Sequence, residues 1–116
     1  MARMTPRKAA LLACEYALSK KAEDVLMMDL RKLTDIADYF VICSGTSEIQ
    51  VKAIADAVAK GLEGHAVSPQ HIEGYTSLRW VLLDYVSIVV HVFHVTAREY
   101  YDLESFWGDA PSESFE

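Results

Sequence analysis

The sequence has little cysteine, no disulfide spacing and no long apolar run. Cys14 and Cys43 are the only cysteines, and no CxxC pair occurs. We therefore expect two reduced, buried thiols, a pattern typical of a cytosolic compartment. No apolar run approaches the roughly 20 residues that cross a bilayer, and the first ten residues lack the apolar core of a secretory signal. These absences argue against a disulfide-stapled secreted protein and against a membrane protein.

Positive charge is also scarce in this chain. Its 11 lysines and arginines are outnumbered by 17 aspartates and glutamates, which gives a formal net charge of −6. Direct binding to a phosphate backbone needs clustered Lys and Arg, so we expect no direct nucleic-acid specificity. A basic protein partner suits this charge better, because opposite electrostatic fields steer association.

The apolar residues that are present predict one mixed domain. Hydrophobic residues make up 52% of the 116 residues, with no repeat or low-complexity linker between them. Helical and strand periodicities alternate along the chain. Helices are expected to start at Thr5-Pro6, Ser47 and Thr96, and strands to cover 24–30, 39–44, 71–75, 78–85 and 88–93. The order α-β-β-α-β-β-β-α predicts an α/β (α+β) fold, a mixed sheet of about five strands with helices packed on it.

Local signals set the expected ends of the helices. Ser47 and Thr96 begin the patterns S-x-x-Q and T-x-x-E, each typical of a capping box. Gly61 and Gly64 are expected to end the second helix. The last helix is expected to run unbroken as far as Trp107, because its apolar residues keep a helical spacing.

The turn Ser44-Gly45-Thr46-Ser47 is compatible with either a phosphate-binding loop or a helix cap. It has one glycine and no lysine before Lys52, and Glu48 already occupies the first helical turn. The pattern therefore favours a cap. A strand, turn and helix of this kind also resemble a nucleotidyltransferase, whose metal ions need paired carboxylates on a later strand. Only Asp84 is available there, so we interpret a nucleotidyltransferase-like scaffold without the catalytic acids.

Histidine and cysteine form no evident site. His91 and His94 are three residues apart at the end of a predicted strand, so their side chains point to opposite faces. His65 and His71 lie in or near a loop without a partner at a ligand spacing. Cys43 has no local base. We expect no metal, no cofactor and no catalytic residue.

A surface that combines aromatic and acidic residues is the stronger signal. In the segment LRWVLLDY, strand alternation puts Trp80, Leu82 and Asp84 on one face and Tyr85 on the other. A large aromatic anchor beside a charge is typical of protein-binding patches. The last helix repeats this combination. Unpaired buried acids are costly, so these acids are expected at the surface.

Four segments carry a family resemblance. They are DYFVICSGTSEIQVKAIAD, EGYTSLRWVLLDY, VVHVF and REYYDLESFWGDAP. Together, and in this order, they closely resemble the ribosomal silencing factor family, also called the RsfS or Iojap family, from about Asp24 to Pro111. We expect a single domain of this family over residues 1–111, followed by a short, frayed acidic tail over residues 112–116.

The resemblance implies a regulator of translation that is not an enzyme. Family members bind a basic large-subunit ribosomal protein, uL14, at the intersubunit face and so block joining of the small subunit. Some relatives in organelles assist large-subunit assembly instead. A cytoplasmic location of bacterial type is expected. Carried onto this chain, the expected partner-binding residues are Glu73, Trp80, Asp84, Tyr85, Tyr101, Asp102, Trp107 and Asp109.

One departure and two alternatives accompany the resemblance. The turn that is usually Gly-Asp in the family is Val86-Ser87 here, so we expect a turn of different length or shape. Arg98 and Asp102, four residues apart, are equally compatible with a helix-stabilising pair. The alternatives are a nucleotide-binding enzyme that uses the Ser44 turn and Asp84, and a homodimer through the exposed sheet face.

Overall fold

A computed structural model describes residues 4–116 of the chain, and residues 1–3 of the expected domain lie outside the described residues. The first eight elements follow the predicted order, and two short ones come after them. The mixed α+β fold is therefore confirmed. The elements are α1 (Pro6–Ser19), β1 (Glu23–Asp29), β2 (Tyr39–Gly45), α2 (Glu48–Glu63), β3 (His71–Glu73), β4 (Trp80–Asp84), β5 (Ile88–His94), α3 (Val95–Tyr101), α4 (Leu103–Phe106) and β6 (Ser112–Phe115).

All of these strands join one six-stranded sheet in the order β3-β4-β5-β2-β1-β6. The pairing of β2 with β5 is parallel, and the other neighbouring pairs are antiparallel. Every residue of β2 is buried, which agrees with its apolar sequence and its predicted central position. The chain passes from β2 to β5 through α2 and the β3–β4 hairpin, and this long connection allows the two strands to run parallel. This parallel pair among antiparallel ones makes the sheet mixed.

Helices α1 and α2 cover one face of the sheet and form the main core with it. Val51, Ile54 and Val58 of α2 are fully buried there, at the helical spacing the sequence predicted. Gly61 also lies inside α2, where an added Cβ would overlap the ring of Tyr16 from α1. The expectation that Gly61 ends the helix is therefore wrong. It is a point of close helix contact, and Gly64 is the C-cap.

The opposite face of the sheet is only partly covered. Short helices α3 and α4 pack there over a second core cluster that includes Phe40, Ile42 and Phe93. Trp80 and Trp107 are half-buried at the border of this cluster. We call this side the open face. Within residues 4–116, no helix has the length and apolar character that spanning a membrane requires.

The C-terminal part departs from the expectations in three ways. The last residues are not frayed, because Ser112–Phe115 form β6 and pair with β1. The last helix is not continuous, because Asp102 adopts a left-handed conformation (φ 48°) between α3 and α4. The Thr96 capping box is also wrong. His94 is the N-cap, and its Nδ1 accepts a hydrogen bond from the Thr96 N–H at 3.2 Å.

Candidate functional site

Strand β4, next to the edge strand β3, contributes alternate residues to the open face. Trp80, Leu82 and Asp84 are half-buried on this face, whereas the residues between them are buried against α1 and α2. Glu73 lies directly opposite Leu82 across the β3–β4 ladder, so its exposed carboxylate shares the face. Trp80 and Asp84 therefore share one face of the sheet, four residues apart along β4, as strand alternation predicted, and Glu73 joins them there.

Trp80 is held on three sides. Its indole Nε1–H donates to His91 Nδ1 at 3.0 Å. Its ring stacks on Phe93, with centroids 4.8 Å apart, and Tyr101 of α3 approaches within 5.0 Å. Tyr101 is 54% exposed, so the two rings form a continuous aromatic surface that solvent or a partner reaches. Trp107, also half-buried, packs edge-to-face on the buried Phe40, with ring centroids 6.2 Å apart.

His91 is a residue whose part in this face the sequence analysis missed. Burial lowers the pKa of His91 to about 3, so its ring is neutral at physiological pH. Because Nδ1 accepts from Trp80, the ring proton resides on Nε2, which is buried and has no hydrogen-bond partner in the part of the chain described. The contact depends on the register of β4 on β5, which sets Leu82 opposite His91, and no local sequence signal determines that register.

The carboxylates on the face also have local roles. Asp84 Oδ1 accepts the Val86 N–H at 2.8 Å, and Glu73 Oε2 lies 2.6 Å from His71 Nε2. Val86 has φ 73°, and the Ser87 N–H donates to the Tyr85 carbonyl at 2.9 Å. Asp84 aligns with Val89 and the Tyr85 N–H donates to the Ile88 carbonyl at 2.9 Å, so Val86-Ser87 is still a two-residue hairpin loop. Its shape differs, because the bond from Ser87 to Tyr85 forms a γ-turn centred on Val86, to which Asp84 adds a hydrogen bond.

Three of the expected partner-binding residues do not lie on the centre of this face. Tyr85 is buried on the α1–α2 side, so it is not a surface contact, and its hydroxyl has no hydrogen-bond partner there. Asp102 is exposed at the break between α3 and α4. Asp109 is exposed in the turn after α4. The other five, Glu73, Trp80, Asp84, Tyr101 and Trp107, are exposed or half-buried on or beside the face.

Arg98 does not pair with Asp102, contrary to one expectation. Its guanidinium is largely buried, binds Glu104 of α4 at 3.1 and 3.2 Å, and also donates to Ser44 Oγ at 2.9 Å and the Asp24 carbonyl at 2.7 Å. Arg98 therefore ties α3 and α4 to β1 and β2. Two adjoining surface cavities of about 720 and 570 Å³ lie around it, and carboxylates dominate the polar lining.

The Ser44 turn is a helix cap in which side chains accept from two backbone N–H groups. Ser47 Oγ accepts the Gln50 N–H at 3.1 Å, and Gln50 Oε1 accepts the Thr46 N–H at 2.7 Å. Ser44 stands at the Trp80 end of the sheet and Asp84 at the other end, because Ser44 aligns with Phe93 and Asp84 with Val89. At about 3.3 Å per strand residue, Ser44 and Asp84 are on the order of 15 Å apart. The structure does not bring these residues together as a catalytic pair.

Metal ligands are likewise not assembled. Among the described residues, no three His, Cys, Asp or Glu side chains are grouped as a metal site would require. Burial raises the pKa of Cys43 to about 12, so this thiol is protonated at neutral pH and is a poor nucleophile. The chemistry that the site does offer is contact: aromatic area with carboxylates beside it.

Comparison with known proteins places this arrangement in a class. A crystal structure of a Chromobacterium violaceum protein, 36% identical in sequence, superposes with a TM-score of 0.88 over 90% of this chain and 88% of that chain. The chain is thus a small mixed α+β domain built on the same single sheet.

The particular family follows from sequence. The family model described as ribosomal silencing factor during starvation matches residues 3–116. The ribosomal silencing factor of Halalkalibacterium halodurans is 42% identical over 113 residues, 97% of each chain, and that of Bacillus subtilis is 44% identical over 104 residues, 90% of this chain and 86% of the relative. The chain belongs to the ribosomal silencing factor (RsfS, Iojap) family, as its sequence segments indicated.

Proposed function

We propose that this chain acts without catalysis, by binding the large ribosomal subunit through uL14 at the intersubunit face. Joining of the small subunit is then blocked by steric exclusion, which represses translation. The observation that carries the proposal is the open face, where Trp80 and Tyr101 form an exposed aromatic surface and Glu73 and Asp84 add carboxylates farther along the same face.

Each part of this face suits a basic protein partner. Trp80 offers a large apolar area in a fixed orientation, which is the kind of anchor that dominates binding energy at protein interfaces. Glu73, and Asp84 at the far end of β4, supply negative charge on the same face as the anchor, and the chain as a whole carries a formal charge of −6. Complementary charge favours encounter with a basic surface and disfavours binding to phosphate.

The mechanism requires only occupancy. The chain has principal extents of 38 × 32 × 26 Å, comparable to a small ribosomal protein. A body of this size on the intersubunit face prevents a second surface from closing on it. No bond is made or broken, so repression ends when the factor dissociates or is displaced. The same contact, made with a large subunit still being built, supports a role in its assembly.

Direct binding with matched variants tests the proposal. Purified uL14 and intact large subunits are titrated with wild-type protein and with the double variant Trp80→Ala, Asp84→Lys. We expect the variant to bind roughly a hundredfold more weakly, because it removes the anchor and reverses a central charge. The control is Ile49→Ala with Glu63→Lys, two exposed positions on α2, on the other side of the sheet. It should bind as wild type does.

The outcome separates this function from the alternatives. Equal binding by the wild type and the face variant would show that the contact lies elsewhere. Thermal stabilisation by a nucleoside triphosphate with Mg²⁺ would instead support the enzyme. A homodimer through the open face would compete with uL14, and sedimentation at several concentrations, alone and with uL14, measures that competition.

A further inference from the structure

A partly buried hydrogen bond joins Trp80 to His91 beneath the open face. The ring is stacked on Phe93 and flanked by Tyr101, but stacking alone permits the indole to slide or flip. The bond from Nε1–H to His91 Nδ1, at 3.0 Å, is directional and favours the orientation in which the N–H edge of the indole points inward. With Nε1 turned inward, the carbon edge of the ring is what remains for a partner to contact.

Core packing does not explain why a histidine occupies position 91. The ring is only 3% exposed and lies among apolar and aromatic side chains, including Phe40, whose ring centroid is 4.6 Å away. Its Nε2 has no hydrogen-bond partner in the described chain, and a buried polar group without a partner costs stability. An apolar aromatic ring would fill this space without that cost.

We propose that His91 is a positioning residue for partner binding, whose buried Nδ1 holds the Trp80 indole in the orientation that the partner contacts. This inference rests on the proposed function, because it assumes that Trp80 is the anchor. His91 itself does not touch the partner. It acts by removing the alternative orientations of Trp80, so that binding does not have to order the ring.

Two substitutions at His91 separate positioning from packing. His91→Phe keeps an aromatic ring of similar size but removes the acceptor. His91→Asn loses ring volume but puts Oδ1 near the place of Nδ1, where it accepts the indole N–H. If His91 serves binding through Trp80, His91→Phe is the more stable of the two variants but binds more weakly, whereas His91→Asn is less stable but binds more tightly.

The expected results follow from this design. His91→Phe should unfold at the same temperature as the wild type or higher, yet bind uL14 roughly two- to tenfold more weakly, the range for ordering one side chain at an interface. His91→Asn should unfold at a lower temperature because it leaves a cavity, yet bind within about twofold of the wild type. A merely structural role predicts instead that affinity falls together with stability.

The indole N–H resonance gives a second readout that does not depend on the partner. The protein has two tryptophans, so an amide correlation spectrum shows two indole signals, and the one lost in Trp80→Phe belongs to Trp80. We expect this signal to shift upfield and to exchange faster with solvent in His91→Phe, and to return toward the wild-type position in His91→Asn.

The failures of the two proposals differ. If Trp80→Ala weakens binding while His91→Phe binds like the wild type, the contact face stands and the positioning role is overturned. An unchanged Trp80 indole signal in His91→Phe overturns it as well. If wild-type protein does not bind uL14 or large subunits, the proposed function itself fails, and the role of His91 in binding fails with it.

Discussion

His91 also shows how a single buried side chain couples stability to pH. Its pKa falls from 6.5 to about 3 because burial disfavours the charged ring. Between these two values the unfolded chain binds a proton that the folded chain does not. The free energy of unfolding therefore falls as pH decreases through this window and is unaffected by His91 above pH 7.

We predict that His91→Phe flattens the acid dependence of stability. Relative to this variant, the wild type should lose unfolding free energy with a limiting slope of about 1.4 kcal/mol per pH unit below pH 6. Denaturant unfolding at pH 7, 6, 5 and 4 measures the difference. Groups such as Asp29, whose pKa the bound Arg31 lowers to about 2, contribute to both proteins and cancel. Parallel curves for the two proteins would contradict the prediction.

For individual residues, the sequence predicted which side chains share the open face better than it predicted the contacts between them. Period-two alternation correctly grouped Trp80 with Asp84. It equally put Tyr85 on the opposite face, and the resemblance alone included Tyr85 among the contacts. The Trp80–His91 bond depends on the register of two strands joined by an irregular turn, and neither local spacing nor composition determines that register.

Among the elements, α1 and α2 pack closely against each other. Gly61 of α2 faces the ring of Tyr16 of α1, whose hydroxyl lies 3.2 Å from His65 Nε2 beyond the end of α2. A glycine inside a helix costs roughly 1 kcal/mol relative to alanine. Close packing of the two helices offsets this cost.

We predict that Gly61→Ala destabilises the protein by about 1–3 kcal/mol, although alanine is the better helix former, because its methyl group overlaps the Tyr16 ring. Gly64→Ala is the matched control. Gly64 has helical backbone angles (φ −61°, ψ −19°), and its added Cβ would lie 3.3 Å from the Gly61 carbonyl oxygen. We expect a change within about 0.5 kcal/mol. Urea unfolding of both variants distinguishes packing from propensity, and a stabilised Gly61→Ala would contradict the packing argument.

Elements with strong periodicity were predicted, and those defined by long-range pairing were not. Helix α2 and strand β2 appear within one residue of their expected starts. Strand β6 was missed because Ser112–Phe115 has a single apolar residue, and its partner β1 lies at the other end of the sequence. The break at Asp102 was missed because the apolar spacing continues through it, whereas the pairing of Arg98 with Glu104 requires it.

For the whole molecule, charge and topology govern how it meets a partner. The carboxylates around the open face and along the Arg98 cavities belong to a chain with a formal charge of −6. Such a field raises the rate of encounter with a basic surface, and because it acts over long distances, salt weakens the effect. The anchor contact of Trp80 is short-range and is screened little.

We predict that salt slows association with uL14 more than it speeds dissociation. Raising ionic strength from about 0.05 to 0.3 M should reduce the association rate constant roughly tenfold or more. Trp80→Ala should instead increase the dissociation rate and leave the salt dependence of association unchanged. Stopped-flow mixing measures both constants. An association rate that does not vary with salt would exclude electrostatic steering.

The strand order also dictates when a newly made chain is able to bind. Strand β2 pairs with β5, and β1 pairs with β6, and in each pair the strands are far apart in the sequence. These pairings close large loops, so we expect them to form late in folding. Trp80 is synthesised before His91, Phe93 and Tyr101, the residues that hold it. A growing chain on the ribosome that makes it therefore carries the anchor without its supports. Under the proposed function, the contact face is completed only after nearly the whole chain has emerged, so we expect a nascent copy to be unable to bind a large subunit before then.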